Sequence, residues 1–180
     1  METAETDIRL KDMGWLLNDL VLDLSAPSDV MRILKGQHNT KISEMSVARM
    51  CISSMVIGLC KFDEITQYYG KEIRGFPDEL KGEIYSIKQE IEKRKMYSYR
   101  SRYLAHSFSK EEKLTKPLEF SSAVDFLKKI IGDELKPAIE NGYAFSKWVY
   151  DKNDESCVVN IIHQAVFHID KVTGGMGKRA

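Results

Sequence analysis

Apolar residues recur at intervals of three and four along most of this chain, the spacing that gathers them on one face of an α-helix. Runs in which apolar and polar residues alternate, the pattern of a half-buried β-strand, are missing. The pattern therefore predicts an all-α fold, a helical bundle of four to five long helices joined by short connections.

The first predicted helix covers residues 6–24, where leucine, methionine and valine form a continuous apolar stripe. We expect it to break at Pro27, because proline lacks a backbone N–H and clashes with the preceding turn of a helix. A short separate helix over residues 27–34 should follow and end at Gly36.

The second predicted helix begins near Asn39 or Thr40, both suitable N-cap residues, and ends near Gly70. Its expected inner stripe consists of Ile42, Met45, Ile52, Val56 and Leu59. The stretch from Met50 to Cys60 is apolar nearly all round, so we expect this helix at the centre of the bundle.

The third predicted helix begins with Pro77 as its first helical residue. Its inner stripe consists of Leu80, Ile84, Ile87 and Ile91. The same spacing continues with Arg94, Ser98, Arg102 and Ala105. The inner face of this helix is thus predicted to turn polar, which indicates a cleft or an interface.

The second half of the chain opens with a predicted loop over residues 110–120. The string Ser122 to Asp125 resembles a capping box that begins a fourth helix. Pro137 should kink or split this helix, with its second part over residues 138–149.

A polar turn over residues 151–154 precedes the last predicted helix, residues 156–172. Together the helices form one domain, residues 1–173. The glycine-containing tail, residues 174–180, is expected to fray.

Composition limits the classes of function. The 180 residues carry 27 Lys plus Arg and 27 Asp plus Glu, so the formal net charge is zero and nucleic-acid binding requires local clustering. Three scattered cysteines predict buried thiols rather than disulfides, and His163 and His168 are spaced wrongly for a shared metal on one helix. We expect neither a metal nor a cofactor.

The acidic N-terminus has no apolar signal core, and the stretch from Met50 to Cys60 is too short to span a bilayer. We therefore expect a cytoplasmic protein without a membrane partner.

The strongest local signal is a basic stretch between residues 93 and 110 that contains no Asp or Glu. Its basic residues are Lys93, Arg94, Lys95, Arg100, Arg102 and Lys110, and its aromatic residues are Tyr97, Tyr99, Tyr103 and Phe108. Cations attract phosphates, and aromatic rings offer stacking surfaces for unpaired bases. RNA is therefore a candidate partner, although a solvated basic helix face would have the same composition.

Within this stretch, Arg100-Ser-Arg-Tyr-Leu-Ala-His106 resembles the motif of the HEPN superfamily, small helical domains of RNA-cleaving toxins and abortive-infection proteins. That motif is an Arg followed by His after four to six residues, near the end of the third long helix. The form with Ala and Ser around the histidine looks like the abortive-infection branch.

The resemblance implies a metal-independent endoribonuclease, active in phage defence or in a toxin–antitoxin system. Arg100 would stabilise the phosphate and His106 would transfer the proton. The substrate-binding residues would be Arg102, Tyr103, Ser101, Arg94 and Tyr99. On an ideal helix Arg102 is the geometric neighbour of His106, and Arg100 is the match to the family.

Two alternatives remain open. The family usually has Asn, Asp or His after the arginine, where this chain has Ser101, so the domain could be a non-catalytic module that binds RNA, a nucleotide or a protein. Alternatively, Arg100 and His106 could merely cap and solvate a helix end. The resemblance also implies a symmetric homodimer with a composite cleft, and the predicted polar inner face of the third helix gives an independent reason to expect one. An antitoxin is a candidate protein partner.

Overall fold

The computed structural model describes residues 2–35, 41–104, 108–111, 114–117, 120–132 and 137–177. The α-helices in these ranges are α1 (Glu2–Lys35), α2 (Lys41–Tyr68), α3 (Gly70–Ile73), α4 (Asp78–Lys93), α5 (Met96–Tyr99), α6 (Phe120–Ile131), α7 (Ala138–Val149) and α8 (Val158–Val172). A π-helical turn, Arg100–Leu104, follows α5, and β1 (Phe108–Glu111) pairs with β2 (Leu114–Pro117). The predicted all-α class is confirmed, with one short pair of β-strands as its β component.

The first helix does not break at Pro27, so the prediction of two helices there is wrong. Pro27 removes the N–H that would bind the carbonyl of Asp23, an exposed residue whose carbonyl water can reach. On either side, Leu24 and Met31 are completely buried, and the Ser28 hydroxyl donates to the Leu24 carbonyl at 3.0 Å. Burial of this face outweighs the lost hydrogen bond and keeps α1 continuous.

The central position of α2 agrees with its contacts, because it packs against α1, α4, α7 and the π-helical turn. Gly58 allows α1 and α2 to approach closely, since a Cβ atom there would lie 2.6 Å from the Leu24 Cδ2 atom. The predicted inner stripe is wrong at Met45, which is 65% exposed. The expected N-caps Asn39 and Thr40 lie outside the described residues.

The segment Glu44–Tyr68 of α2 is long and apolar enough to cross a membrane by length and composition alone, and half of its most apolar stretch is buried inside the protein. The core helix of a folded domain has the same length and composition. The burial agrees with that role.

The inner stripe of α4 is buried as predicted, with Pro77 as N-cap rather than first helical residue. The helix ends at Lys93, however, and Lys95 adopts a left-handed conformation with φ 54° before α5 begins. The break changes the register, so that Met96 and Tyr99 enter the core.

The predicted polar inner face is therefore wrong. Ser98 and Arg102 are exposed and Arg94 is only partly buried, while Ala105 lies outside the described residues. The prediction assumed an uninterrupted helix, and the left-handed residue before α5 invalidates that assumption.

Residues 108–111 and 114–117 pair as antiparallel strands within the predicted loop region, with Phe108 opposite Pro117 and Glu111 opposite Leu114. Strands of four residues are too short to produce a clear alternating pattern. The helix α6 begins at Phe120, so Ser122 lies inside it and the predicted capping box is wrong.

The end of the chain follows the prediction closely. The helix α7 occupies residues 138–149, separate from α6, and the turn before α8 is held by Asp151 and Asp154, which accept bonds from backbone N–H groups. The tail is the exception, because the Met176 N–H donates to the Asp170 carboxylate and the Met176 side chain packs against the core, so the expected fraying is wrong for residues 174–177.

Candidate functional site

Arg100 begins the π-helical turn and reaches back toward α2. Its Nη1 atom lies 2.7 Å from the Glu64 Oε1 atom, and its guanidinium carbon lies 5.0 Å from the centre of the Tyr97 ring. The side chain of Arg100 is 33% exposed and that of Glu64 is 51% exposed. The guanidinium is thus held in place while part of it remains accessible to a ligand.

The Arg100 side chain carries a permanent positive charge. The hydrogen bond from Arg100 to Glu64 raises the pKa of Arg100, so the guanidinium remains a cation at any physiological pH. A phosphate that approaches from solvent therefore meets a permanent positive charge whose present partner is a half-exposed carboxylate.

The Tyr97 ring beneath Arg100 is fixed by buried polar groups of α2. Its hydroxyl lies 2.8 Å from the Asp63 Oδ2 atom and 3.1 Å from the Cys60 carbonyl oxygen. Burial and the bond to Asp63 raise the pKa of Tyr97, so the hydroxyl stays protonated and can donate. Lys88 of α4 balances the charge of the buried Asp63 at 3.4 Å.

Tyr99 and Tyr103, both predicted to contact RNA, pack in or against the hydrophobic core instead. Tyr99 is 2% exposed, its ring centre lies 5.7 Å from that of Tyr103 and 6.0 Å from that of Phe126, and its hydroxyl lies 3.2 Å from the Ser53 hydroxyl. In this conformation Tyr99 offers no free face to a base. Tyr103 is partly buried in the same aromatic cluster.

The Arg94 guanidinium is also engaged by groups within the protein. It donates to Glu90 at 2.9 Å and to the Ile130 carbonyl at the end of α6, and its guanidinium carbon lies 5.3 Å from the Trp148 ring centre. These contacts tie α4 to α6 and α7. Arg94 thus has a structural role and does not contribute to the surface around Arg100.

The π-helical turn brings Arg100, Ser101 and Arg102 together at the surface, with Ser101 and Arg102 exposed. His106, the predicted proton-transfer residue, lies outside the described residues. Sequence reasoning missed Glu64, because it precedes Arg100 by 36 positions and only the packing of α2 joins them.

Among the described residues, no group of three or more His, Cys, Asp or Glu side chains could hold a metal ion. The rings of His168 and Phe76 pack edge to face at 4.9 Å. The three cysteines are buried and free, and burial raises the pKa of Cys60 to about 11, so this thiol is protonated at neutral pH.

These features define a protein of the all-α class, with one short pair of β-strands, that carries a partly exposed arginine on a π-helical turn. No family model, no characterised protein and no solved structure matches the chain significantly.

Proposed function

We propose that this protein is a metal-independent endoribonuclease with a HEPN-like helical bundle, in which Arg100 and His106 act on the scissile phosphate. The observation that carries the proposal is the backbone at the motif. A π-helical turn starts at Arg100 and places Arg100, Ser101 and Arg102 together at the surface. Such turns are rare and occur frequently at functional sites.

The residues suit the chemistry of RNA cleavage. The ribose 2′-hydroxyl attacks the adjacent phosphorus, the bond to the 5′-oxygen breaks, and a 2′,3′-cyclic phosphate forms. A histidine of near-neutral pKa can accept or donate the transferred proton. Arg100 stabilises the extra negative charge on the phosphate oxygens, and Arg102 and Ser101 offer further donors.

The ion pair with Glu64 does not block this role. Partly exposed ion pairs contribute about 0–1 kcal/mol, so a phosphate bound by two parallel hydrogen bonds can replace the carboxylate on Arg100. Biological settings that fit are phage defence and toxin–antitoxin systems.

The test is incubation of mixed RNA with the purified protein in EDTA. Wild type should release ends with 2′,3′-cyclic phosphate, and His106→Ala and Arg100→Ala should each slow cleavage by about 10²-fold or more. Arg74→Ala, which changes an exposed arginine outside the site, is the matched control and should cleave normally. Equal degradation by wild type and His106→Ala would contradict the proposal.

The second candidate is a non-catalytic module of the same fold that binds RNA. The observations that favour it are the engagement of the Arg100 guanidinium by Glu64 and the short side chain of the exposed Ser101, where the family usually has Asn, Asp or His. Salt-dependent RNA binding without cleavage would support this candidate, and the slope of log K against log salt would count the phosphates contacted.

A further inference from the structure

A cavity of about 320 Å³ lies between the C-terminal third of α1, the helix α7 and the turn that follows α7. None of its lining residues belongs to α4, α5 or the π-helical turn. Its volume is at the lower end of the range for small-molecule sites. Because the two share no lining residue, this cavity is distinct from the surface around Arg100.

Positive charge exceeds negative charge in this cavity. Four cations line it, Arg32, Lys35, Lys147 and Lys152, together with two carboxylates, Asp29 and Asp151. This excess stands out in a chain whose formal net charge is zero. An anionic ligand is therefore the class that the cavity favours.

Both carboxylates are already engaged. Asp29 pairs with Arg32 at 2.8 Å, and Asp151 pairs with Lys147 at 3.4 Å. A hydrogen bond from the backbone N–H of Asn153, supported by the charge of Lys147, lowers the pKa of Asp151 and keeps it ionised.

The remaining cations, Lys35 and Lys152, make no ion pair with a carboxylate among the residues that the structure describes. They are the groups best placed to receive a ligand anion. Lysine ammonium groups bind phosphate as compact point charges with three donors each.

Two aromatic rings, those of Tyr143 and Tyr150, line the same cavity. The Tyr143 hydroxyl donates to the Glu44 Oε1 atom at 2.9 Å, which fixes the ring, and the Lys35 Nζ atom lies 5.4 Å from the ring centre. Tyr150 is partly buried. A planar group could stack on such rings while an attached phosphate reached the lysines.

We propose that this cavity binds a phosphomonoester that carries an aromatic ring, of which a nucleoside monophosphate is the simplest example. The phosphate contacts Lys35 and Lys152, and the planar ring packs against Tyr150. This binding is independent of the RNA chemistry proposed for Arg100, since the two surfaces share no residue.

Isothermal titration of the full chain at low ionic strength with adenosine monophosphate, inorganic phosphate and adenosine tests the proposal. Adenosine monophosphate should bind more tightly than either other probe. The double variant Lys35→Ala/Lys152→Ala should weaken its binding by about tenfold or more, because two charge-assisted hydrogen bonds are lost. Lys129→Ala/Lys171→Ala, which removes two exposed lysines elsewhere, is the control and should bind as wild type.

A second variant distinguishes the contribution of the Tyr150 ring from that of the lysine charges. Tyr150→Leu should reduce the affinity for adenosine monophosphate to that for inorganic phosphate and leave phosphate binding unchanged. Three results would overturn the proposal: no binding of adenosine monophosphate, equal affinity for it and for inorganic phosphate, or equal weakening by the two lysine double variants. In the first case the cations serve only the negative ends of α1 and α7.

Discussion

At the scale of single residues, the contact between Arg100 and Glu64 decides how readily the proposed site accepts a phosphate. Glu64 neutralises the guanidinium and would also repel an incoming anion. Glutamine has nearly the same size but no charge, so it leaves Arg100 in place with its charge unopposed.

We therefore expect Glu64→Gln to raise RNA affinity by up to about fivefold, the equivalent of an exposed ion pair. Fluorescence anisotropy with a labelled oligoribonucleotide measures the change. Asp23→Asn is the matched control, because it removes one charge from another half-exposed pair, that with Lys61. Weaker binding by Glu64→Gln would show instead that the carboxylate positions Arg100.

Sequence reasoning predicted part of this site. The spacing of Arg100, Ser101 and Arg102 places them on neighbouring positions of one turn whatever the helix type, and they do lie together at the surface. The partners of Arg100 could not be predicted, because Glu64 and Tyr97 meet it only through helix packing. The burial of Tyr99 could not be predicted either, because it depends on the left-handed break at Lys95.

At the scale of elements, that break determines which residues of the basic stretch face solvent. A non-glycine residue in the left-handed region costs about 1 kcal/mol or more, and glycine avoids the steric part of this cost. Burial of Met96 and Tyr99 offsets this cost, because the left-handed conformation of Lys95 directs both side chains into the core.

We expect Lys95→Gly to raise the free energy of unfolding by up to about 1 kcal/mol, whereas Lys95→Val lowers it by at least that amount, because a β-branched side chain clashes in this conformation. Denaturant unfolding followed by circular dichroism measures both. Lys93→Gly, inside the last turn of α4, is the control and should be destabilising. A stabilising effect at both positions would contradict the argument from backbone conformation.

Helix prediction succeeded where local patterns and packing agree. The stripe of α4 and the boundaries of α7 followed from apolar spacing and proline position. It failed at Pro27 and Lys95 for different reasons. The break expected at Pro27 does not occur because burial against α2 keeps α1 continuous. The break at Lys95 occurs because α4 and α5 must both contribute residues to the same core. Neither effect is encoded by nearby residues alone.

At the scale of the whole molecule, the expected homodimer stays a prediction. The polar inner face predicted for the third helix does not support it, because Arg94 is engaged inside the protein and Met96 and Tyr99 are buried. The resemblance to a family with composite sites remains. A two-fold axis near the π-helical turn would also double the local positive charge in a neutral protein.

Light scattering at micromolar concentration should therefore give about twice the chain mass of 20.7 kDa. If the axis lies near the site, the exposed substitution Ser101→Cys should yield a disulfide-linked dimer on mild oxidation, while Lys171→Cys on α8 should not. A mass near 20.7 kDa would exclude the dimer. A dimer in which only Lys171→Cys cross-links would exclude the composite cleft.

The close contact at Gly58 has a mechanical consequence. Glu44, the partner of Tyr143, and Glu64, the partner of Arg100, stand near opposite ends of α2, about 30 Å apart along its axis. Gly58, in close contact with Leu24, lies between them, about 21 Å along the axis from the position of Glu44 and about 9 Å from that of Glu64. A tilt of α2 about this contact would therefore move the position of Glu44 about twice as far as that of Glu64, and in the opposite direction.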